Sequence, residues 1–197
     1  MKGSPRRSRP PESEPPAPPA DGIAVVAFWR KTGPKLWFAR DPDFDRRFRE
    51  CFLALHQAAA RGDLANWPET PDGALGLVLL LDQYPRNAFR DTPRMYEPDP
   101  MALAIASAAV GAGHGRALDD TMAMFLYLPF GHAENGVDQE MSVSLVRRLG
   151  PDVLSNAERH GKHHPLLRAR FPHRNAILGW NTTRCERRFL PQGGFTG

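Results

Sequence analysis

Helix and sheet readings part company at Thr70-Pro71-Asp72-Gly73-Ala74-Leu75-Gly76-Leu77-Val78-Leu79-Leu80-Leu81-Asp82-Gln83-Tyr84-Pro85-Arg86-Asn87-Ala88-Phe89-Arg90. Thr70 and Pro71 supply an N-cap and a proline at the first helical position. Leu75, Leu77, Val78, Leu79, Leu80 and Leu81 then cover every side of a helix, the pattern of a central helix buried all round. Pro85 takes away a backbone donor and kinks or ends that helix. The carbonyls it leaves are within reach of Arg86 or Asn87.

Helical spacing continues on both sides. Phe44, Phe48, Cys51, Phe52, Leu55 and Ala59 define one helix face, and Gly62 is placed to close that helix. Asp99-Pro100 opens a segment through Met101, Leu103, Ile105, Ala106, Ala109 and Val110 that Gly111 stops. Asp119-Asp120 opens another, through Met122, Phe125, Leu126 and Leu128, which Pro129 terminates ahead of a loop at Phe130–Gly136. Val137, Met141, Leu145 and Leu149 form an i+4 ladder ended by Gly150-Pro151, and residues 152–162 continue helical. Thr183-Arg184-Cys185-Glu186 has capping-box spacing for a last short helix. No stretch alternates convincingly at period two. The expectation is an all-α domain over residues 21–192, built from seven to nine antiparallel helices with short connections. No sequence repeat recurs at the period of about 34 residues that a tetratricopeptide array would show.

Composition agrees with one soluble domain. The chain has 197 residues, 41% hydrophobic and 24% charged. Seven prolines and four basic residues crowd residues 1–20, which read as a disordered tail, and residues 193–197 as a flexible C-terminus. No apolar run approaches the 18 or so residues of a membrane helix. The N-terminus lacks the apolar core of a secretory signal, so the expected location is the cytoplasm. Two cysteines, Cys51 and Cys185, make no disulfide framework. The net charge of +4 divides into +2 in residues 1–20, −4 in 21–159 and +6 in 160–190. A mildly acidic body with a basic end points to a small anionic ligand or an acidic peptide as partner, with no nucleic acid and no membrane.

Three polar blocks stand out against this helical background. In the first, Asp82, Arg86, Asn87 and Arg90 are ligand-binding candidates, since Arg presents a bidentate fork to a carboxylate or phosphate and Asn adds a donor and an acceptor. Their structural reading is an Asp82 pairing with Arg86 or Arg90 and an Asn87 that caps the next turn. In the second, Leu128-Pro129-Phe130-Gly131-His132-Ala133-Glu134-Asn135, followed by Asp138-Gln139-Glu140, sets a histidine among carboxylates. His132, Glu134 and Asp138 are candidate catalytic residues there, with Gln139 a ligand contact. The structural alternative puts Glu134 and Asp138 at a helix N-terminus, favoured by the macrodipole, and bonds His132 to backbone. The His-X-Glu pattern occurs in zinc deaminases too, but their Pro-Cys-X-X-Cys partner is missing. In the third, Phe171-Pro172-His173-Arg174-Asn175 echoes Tyr84-Pro85-Arg86-Asn87. It adds His173 as a catalytic candidate and Arg174 and Asn175 as ligand contacts.

Other features carry less. His160 and His164 are four apart, but Gly161 and Pro165 weaken a helix there, and no metal site is expected. His56 and His114 read as structural or exposed. The Gly-rich run Gly111–Gly115 follows a helix rather than a strand, so no nucleotide cofactor is expected.

Taken together, the blocks resemble the bacterial "domain of unknown function 924" family. They are Phe28-Trp29 with Trp37-Phe38, the block ending at Arg90, the Leu-Pro-Phe-X-His-X-Glu block ending at Glu134 with Asp138-Gln139-Glu140, and Phe171 to Gly179. The likeness spans about Ile23 to Leu190. It implies an all-α fold similar to tetratricopeptide arrays and brings no established activity. Gly131 stands where that family tends to have a glutamate. Trp180, Arg184, Arg187 and Arg188 stand where it is more acidic or neutral. Two functions remain open on these grounds. One is a pocket for a small anionic metabolite, with acid–base hydrolysis as the chemistry that suits it. The other is a helical module that clamps an acidic peptide or a C-terminal carboxylate. In a third, structural reading, the blocks only satisfy helix ends.

Overall fold

Thr70 opens the central helix as its sequence requires, its Oγ1 accepting from Gly73 N at 3.1 Å with Pro71 behind it. The computed structural model describes residues 22–151 and 170–189. Helices run in the order α1 (Gly22–Thr32), α2 (Pro34–Trp37), α3 (Pro42–Arg61), α4 (Pro71–Val78), α5 (Tyr84–Ala88), α6 (Asp99–Gly111), α7 (His114–Ala117), α8 (Asp120–His132), α9 (Gly136–Val146), α10 (Asn175–Leu178) and α11 (Arg184–Phe189). A π-helical turn, Leu79–Gln83, joins α4 to α5. The described residues contain no strand, so the fold is all-α. Its helical segments slightly outnumber the seven to nine expected, because the π turn divides one helix and several others are single turns. The proline-rich segment 1–20, the helix expected over 152–162, His160, His163, His164 and residues 193–197 lie outside the described residues.

The unit Pro71–Ala88 is the axis of the domain. Every residue from Gly73 to Pro85 is buried, and the unit packs against α1, α3, α6 and α8. Each fully buried leucine there contributes about 1.5–3 kcal/mol relative to exposure. Glycines set the closest approach: a Cβ on Gly76 would stand 2.8 Å from the Cα of Gly22 on α1. Pro85 does not end the unit. The chain runs through the π turn just before it, where Tyr84 N donates to Leu79 O, and Pro85 sits in the first turn of α5. A proline cannot make the next such bond, and the structure finds other donors for the loosened carbonyls. Arg86 Nη1 donates to Asp82 O at 2.8 Å, and Asn87 Nδ2 donates to Gln83 O at 2.8 Å.

α3 presents Phe44, Phe48, Phe52, His56 and Ala59 to the core, and Gly62 closes it in the left-handed region at φ 80°. Cys51 is exposed, contrary to its expected place on the apolar face, because the buried stripe follows i, i+4, i+8, i+12 instead. The aromatic rings of Phe28, Trp29, Trp37, Phe48 and Phe125 stack, tilt or meet edge to face across α1, α2, α3 and α8. α8 continues past Pro129 to His132, one turn beyond its expected end. Proline costs only one bond there, and the last turn is held by side chains from elsewhere. The ladder on α9 faces outward in its first half: Val137 is 77% exposed and Met141 43%, while Gln139, Ser142 and Val146 are buried and Leu145 and Leu149 pack half-buried against the core. Gln139 takes that face because its amide bonds to the end of α8. The capping box forms as read, with Glu186 N donating to Thr183 Oγ1 at 3.3 Å and Thr183 N to Glu186 Oε2 at 2.6 Å.

Candidate functional site

The π turn and the last turn of α8 each end in a polar side chain, and those side chains meet. Asp82 Oδ1 accepts a 2.7 Å hydrogen bond from His132 Nδ1. The other carboxylate oxygen accepts from Gln83 Nε2, also at 2.7 Å, and Arg86 Nη1 lies 3.1 Å from Oδ1. Asp82 is wholly buried. Burial pushes its acidity down, but the charge of Arg86, then the His132 ring and its hydrogen bond, outweigh that penalty. The carboxyl is held well below the usual range and is ionised. An ionised carboxylate only accepts, so Nδ1 is the donating nitrogen of His132, and in the neutral ring the lone pair is left to Nε2.

A second carboxylate links the first polar block to the third. Asp99, in the first turn of α6, accepts from both terminal nitrogens of Arg86, at 2.8 and 3.0 Å, and from Arg174 Nη1 at 3.3 Å. The two guanidiniums therefore share one anion. Both also lie over the Tyr96 ring, at 5.8 Å for Arg86 and 4.5 Å for Arg174. Desolvation works against the Arg86 charge, but Asp82 and Asp99 more than restore it. For Arg174 desolvation prevails over the pull of Asp99, and its pKa is lowered.

The end of α8 is held by the second and third blocks. Gln139 Nε2 donates to Gly131 O at 2.5 Å and to Ala133 O at 2.9 Å, and Arg174 Nη2 donates to His132 O at 3.0 Å. Three successive carbonyls that a helix end leaves without donors are thus satisfied by side chains. Glu134 Oε1 accepts from Phe171 N at 3.0 Å and stands 3.9 Å from Arg174 Nη1.

The structure brings Asp82, Arg86, His132, Glu134, Gln139 and Arg174 into one network, and divides the other candidates from it. Arg90 binds Asp45 (2.5 Å) and Asn87 Oδ1 (2.6 Å), tying the end of α5 to α3. Asn175 Nδ2 donates to Thr182 Oγ1 and Glu186 Oε2, both at 3.3 Å, and so serves the α11 cap. Asp138 accepts from Asn135, the N-cap of α9, in the helix-start role. His173 packs its ring at 5.6 Å from that of Phe171. Among the described residues, no cluster of three or more His, Cys, Asp or Glu is arranged to hold a metal ion, and no helix is long and apolar enough to cross a membrane.

The blocks that supply this network lie within a match, over residues 25–194, to the model of a family described as bacterial proteins of unknown function (DUF924). The chain belongs to the DUF924 family. The solved structure of a protein of unknown function from Agrobacterium tumefaciens, ATU0120, is 43% identical to it, with a TM-score of 0.84. That likeness covers 87% of this chain and 97% of the other. No curated protein matches the sequence. In this DUF924 protein Gly131 is buried against α9, where a Cβ would lie 3.3 Å from Ser142 Oγ. A larger side chain before His132 would meet that helix.

Sequence reasoning missed Asp99, Tyr96 and Gln83 as members of the network. Asp99 opens α6 as its Asp-Pro spacing predicts, but its carboxylate turns to the guanidiniums rather than to its own helix. The one available signal was the excess of arginines over acidic partners in the first and third blocks.

Proposed function

We propose that this protein is an acid–base enzyme acting on a small polar metabolite, with His132 transferring the proton and Asp82 orienting it. The 2.7 Å bond from His132 Nδ1 to a wholly buried Asp82 carries this reading. A neutral imidazole fixed in that tautomer has Nε2 free as a base, and the carboxylate behind it stabilises the imidazolium formed when Nε2 takes a proton. His132 keeps a fifth of its side-chain surface while Asp82 keeps almost none, which suits an outer base and an inner orienter. Hydrolysis, with Nε2 receiving a proton from the attacking water, is the reaction class we favour. Glu134 and Arg174 support the site from the backbone side rather than taking the proton. The free, exposed Cys51 and Cys185 suit a reducing compartment, the cytoplasm.

The test is turnover of p-nitrophenyl carboxylate and phosphate esters by the full chain and by His132→Ala. The variant is expected to lose about 100-fold or more, the usual worth of a positioned acid–base group. Undiminished turnover in the variant removes His132 from the chemistry.

A second reading, binding of an anionic metabolite or an acidic peptide, draws support from Asp99. Arg86 and Arg174 already grip one carboxylate between them, so a ligand carboxylate or phosphate would compete for the place Asp99 fills. The affinity available to it is what remains after Asp99 is displaced.

A further inference from the structure

The carboxylate that orients His132 sits on a π turn, and π turns inside helices are concentrated at functional sites. This one has a defined weak point. Tyr84 N bonds to Leu79 O in π register, so the next bond would run from residue 85 to Leu80 O. Residue 85 is proline and has no N–H to give. The buried carbonyl is satisfied instead from α3, where His56 Nδ1 donates to Leu80 O at 2.9 Å. The His56 ring is buried and stacks on Tyr84 at 4.6 Å, with Phe89 at 5.5 Å. Tyr84 Oη in turn donates to Arg49 O at 3.1 Å, so α3 holds the turn at two points.

We propose that His56 is a positioning residue: its bond to Leu80 O holds the π turn in the register that presents Asp82 to His132. Asp82 is two residues beyond Leu80. Relaxing the turn towards α geometry rotates side chains about the axis by up to roughly the 100° that one residue subtends in an α-helix. A rotation of that size carries the carboxylate out of hydrogen-bond range. A bulky apolar residue at position 56 would fill the same space yet leave Leu80 O unpaired. This inference rests on the reading of Asp82 and His132 as the acid–base pair.

The experiment follows the Nδ1 proton of His132 by NMR in the full chain labelled with ¹⁵N-histidine, assigned by its absence from His132→Gln. Wild type is expected to show a slowly exchanging, far-downfield Nδ1 proton. His56→Asn, whose amide keeps a donor near the Nδ1 position, should retain it. His56→Phe, which keeps the stack on Tyr84 and loses the donor, should lose or broaden it while remaining folded by circular dichroism. His56→Met serves the same purpose if phenylalanine prevents folding. An unchanged signal in a folded donor-free variant overturns the proposal, and so does its loss from folded His56→Asn. Absence of the signal from wild type would instead overturn the acid–base pair itself.

Discussion

Asp82 and His132 are 50 residues apart in the chain, and their side chains meet at 2.7 Å. Each lies three residues from a proline inside a helical unit, Asp82 before Pro85 and His132 after Pro129. Pro85 on one side and the end of α8 on the other leave helix carbonyls without donors, and the structure answers with Arg86, Asn87 and His56 at the first and Gln139 and Arg174 at the second. Polar side chains are thereby concentrated around the pair for a structural reason, and the histidine and carboxylate they surround acquire a fixed geometry.

Asp82→Asn tests that geometry directly. Removing one member of a buried charge cluster leaves uncompensated charge on its partners and costs about 3–5 kcal/mol. The lower end is expected because Asp99 still pairs Arg86. Urea unfolding gives the stability change, and esterase or phosphatase turnover should fall more steeply than in a variant of equal stability loss at a remote core site. Equal falls would reduce Asp82 to a structural role.

The all-α class was legible because a helix apolar on every side has to be wrapped by others, and the structure wraps Pro71–Ala88 in α1, α3, α6 and α8. Capping residues were legible too, since Thr70, Asp119 and Thr183 act within three residues of themselves. The network was half legible. Blocks rich in Arg, Asn and His marked the correct segments, but spacing along one chain says nothing about which residue faces which. Arg90 and Asn175 look like their counterparts in the motif yet serve Asp45 and the α11 cap. Asp99 was hidden by its second role as a helix opener. The ladder on α9 misled because buried Gln139 is drawn inward by carbonyls of α8, a demand that no hydropathy pattern records.

The crossing of α1 and α4 gives a prediction independent of function. A Cβ at Gly76 would come within 2.9 Å of Gly22 O and 2.8 Å of its Cα, and backbone cannot give way cheaply. Gly76→Ala should therefore destabilise by about 1–3 kcal/mol despite alanine's better helix propensity. Gly111→Ala, with open space around it at the end of α6, should leave the melting temperature unchanged or raise it. Identical responses at the two positions would refute the close approach.

His56 sets a pH dependence. Burial lowers its pKa below the ordinary 6.5; the bond to Leu80 O and Glu97 work the other way, and Arg94 adds to the lowering. Between 6.5 and the lower folded value the unfolded chain takes up a proton that the folded chain refuses. This contribution to stability is complete above about pH 6.5 and is lost as pH falls through the folded pKa. Melting temperatures from pH 8 to 5 should fall more steeply for wild type than for His56→Asn. Parallel curves would show that His56 titrates alike in both states. The Asp82 carboxyl, held below 3.8, keeps its contribution above that pH and loses it only as pH falls through its lower folded value.

Asp99→Asn distinguishes a site that can take an anion from one that is only cross-linked by its own. Asp99 accepts three guanidinium hydrogen bonds, and the asparagine keeps its size while losing the charge. Arg86 and Arg174 then face each other across a neutral side chain, and the variant is less stable in buffer without multivalent anions. Phosphate or citrate at constant ionic strength should restore stability to the variant far more than to wild type. Occupancy at about 100 times the dissociation constant is worth roughly 2.7 kcal/mol, several degrees for a domain of this size. The comparison is internal, because screening at the rest of the surface acts equally on both proteins. Anion responses that coincide would mean that the two guanidiniums do not open to a ligand, and binding of an anionic metabolite or acidic peptide at this place would be excluded while the Asp82–His132 pair stood untouched.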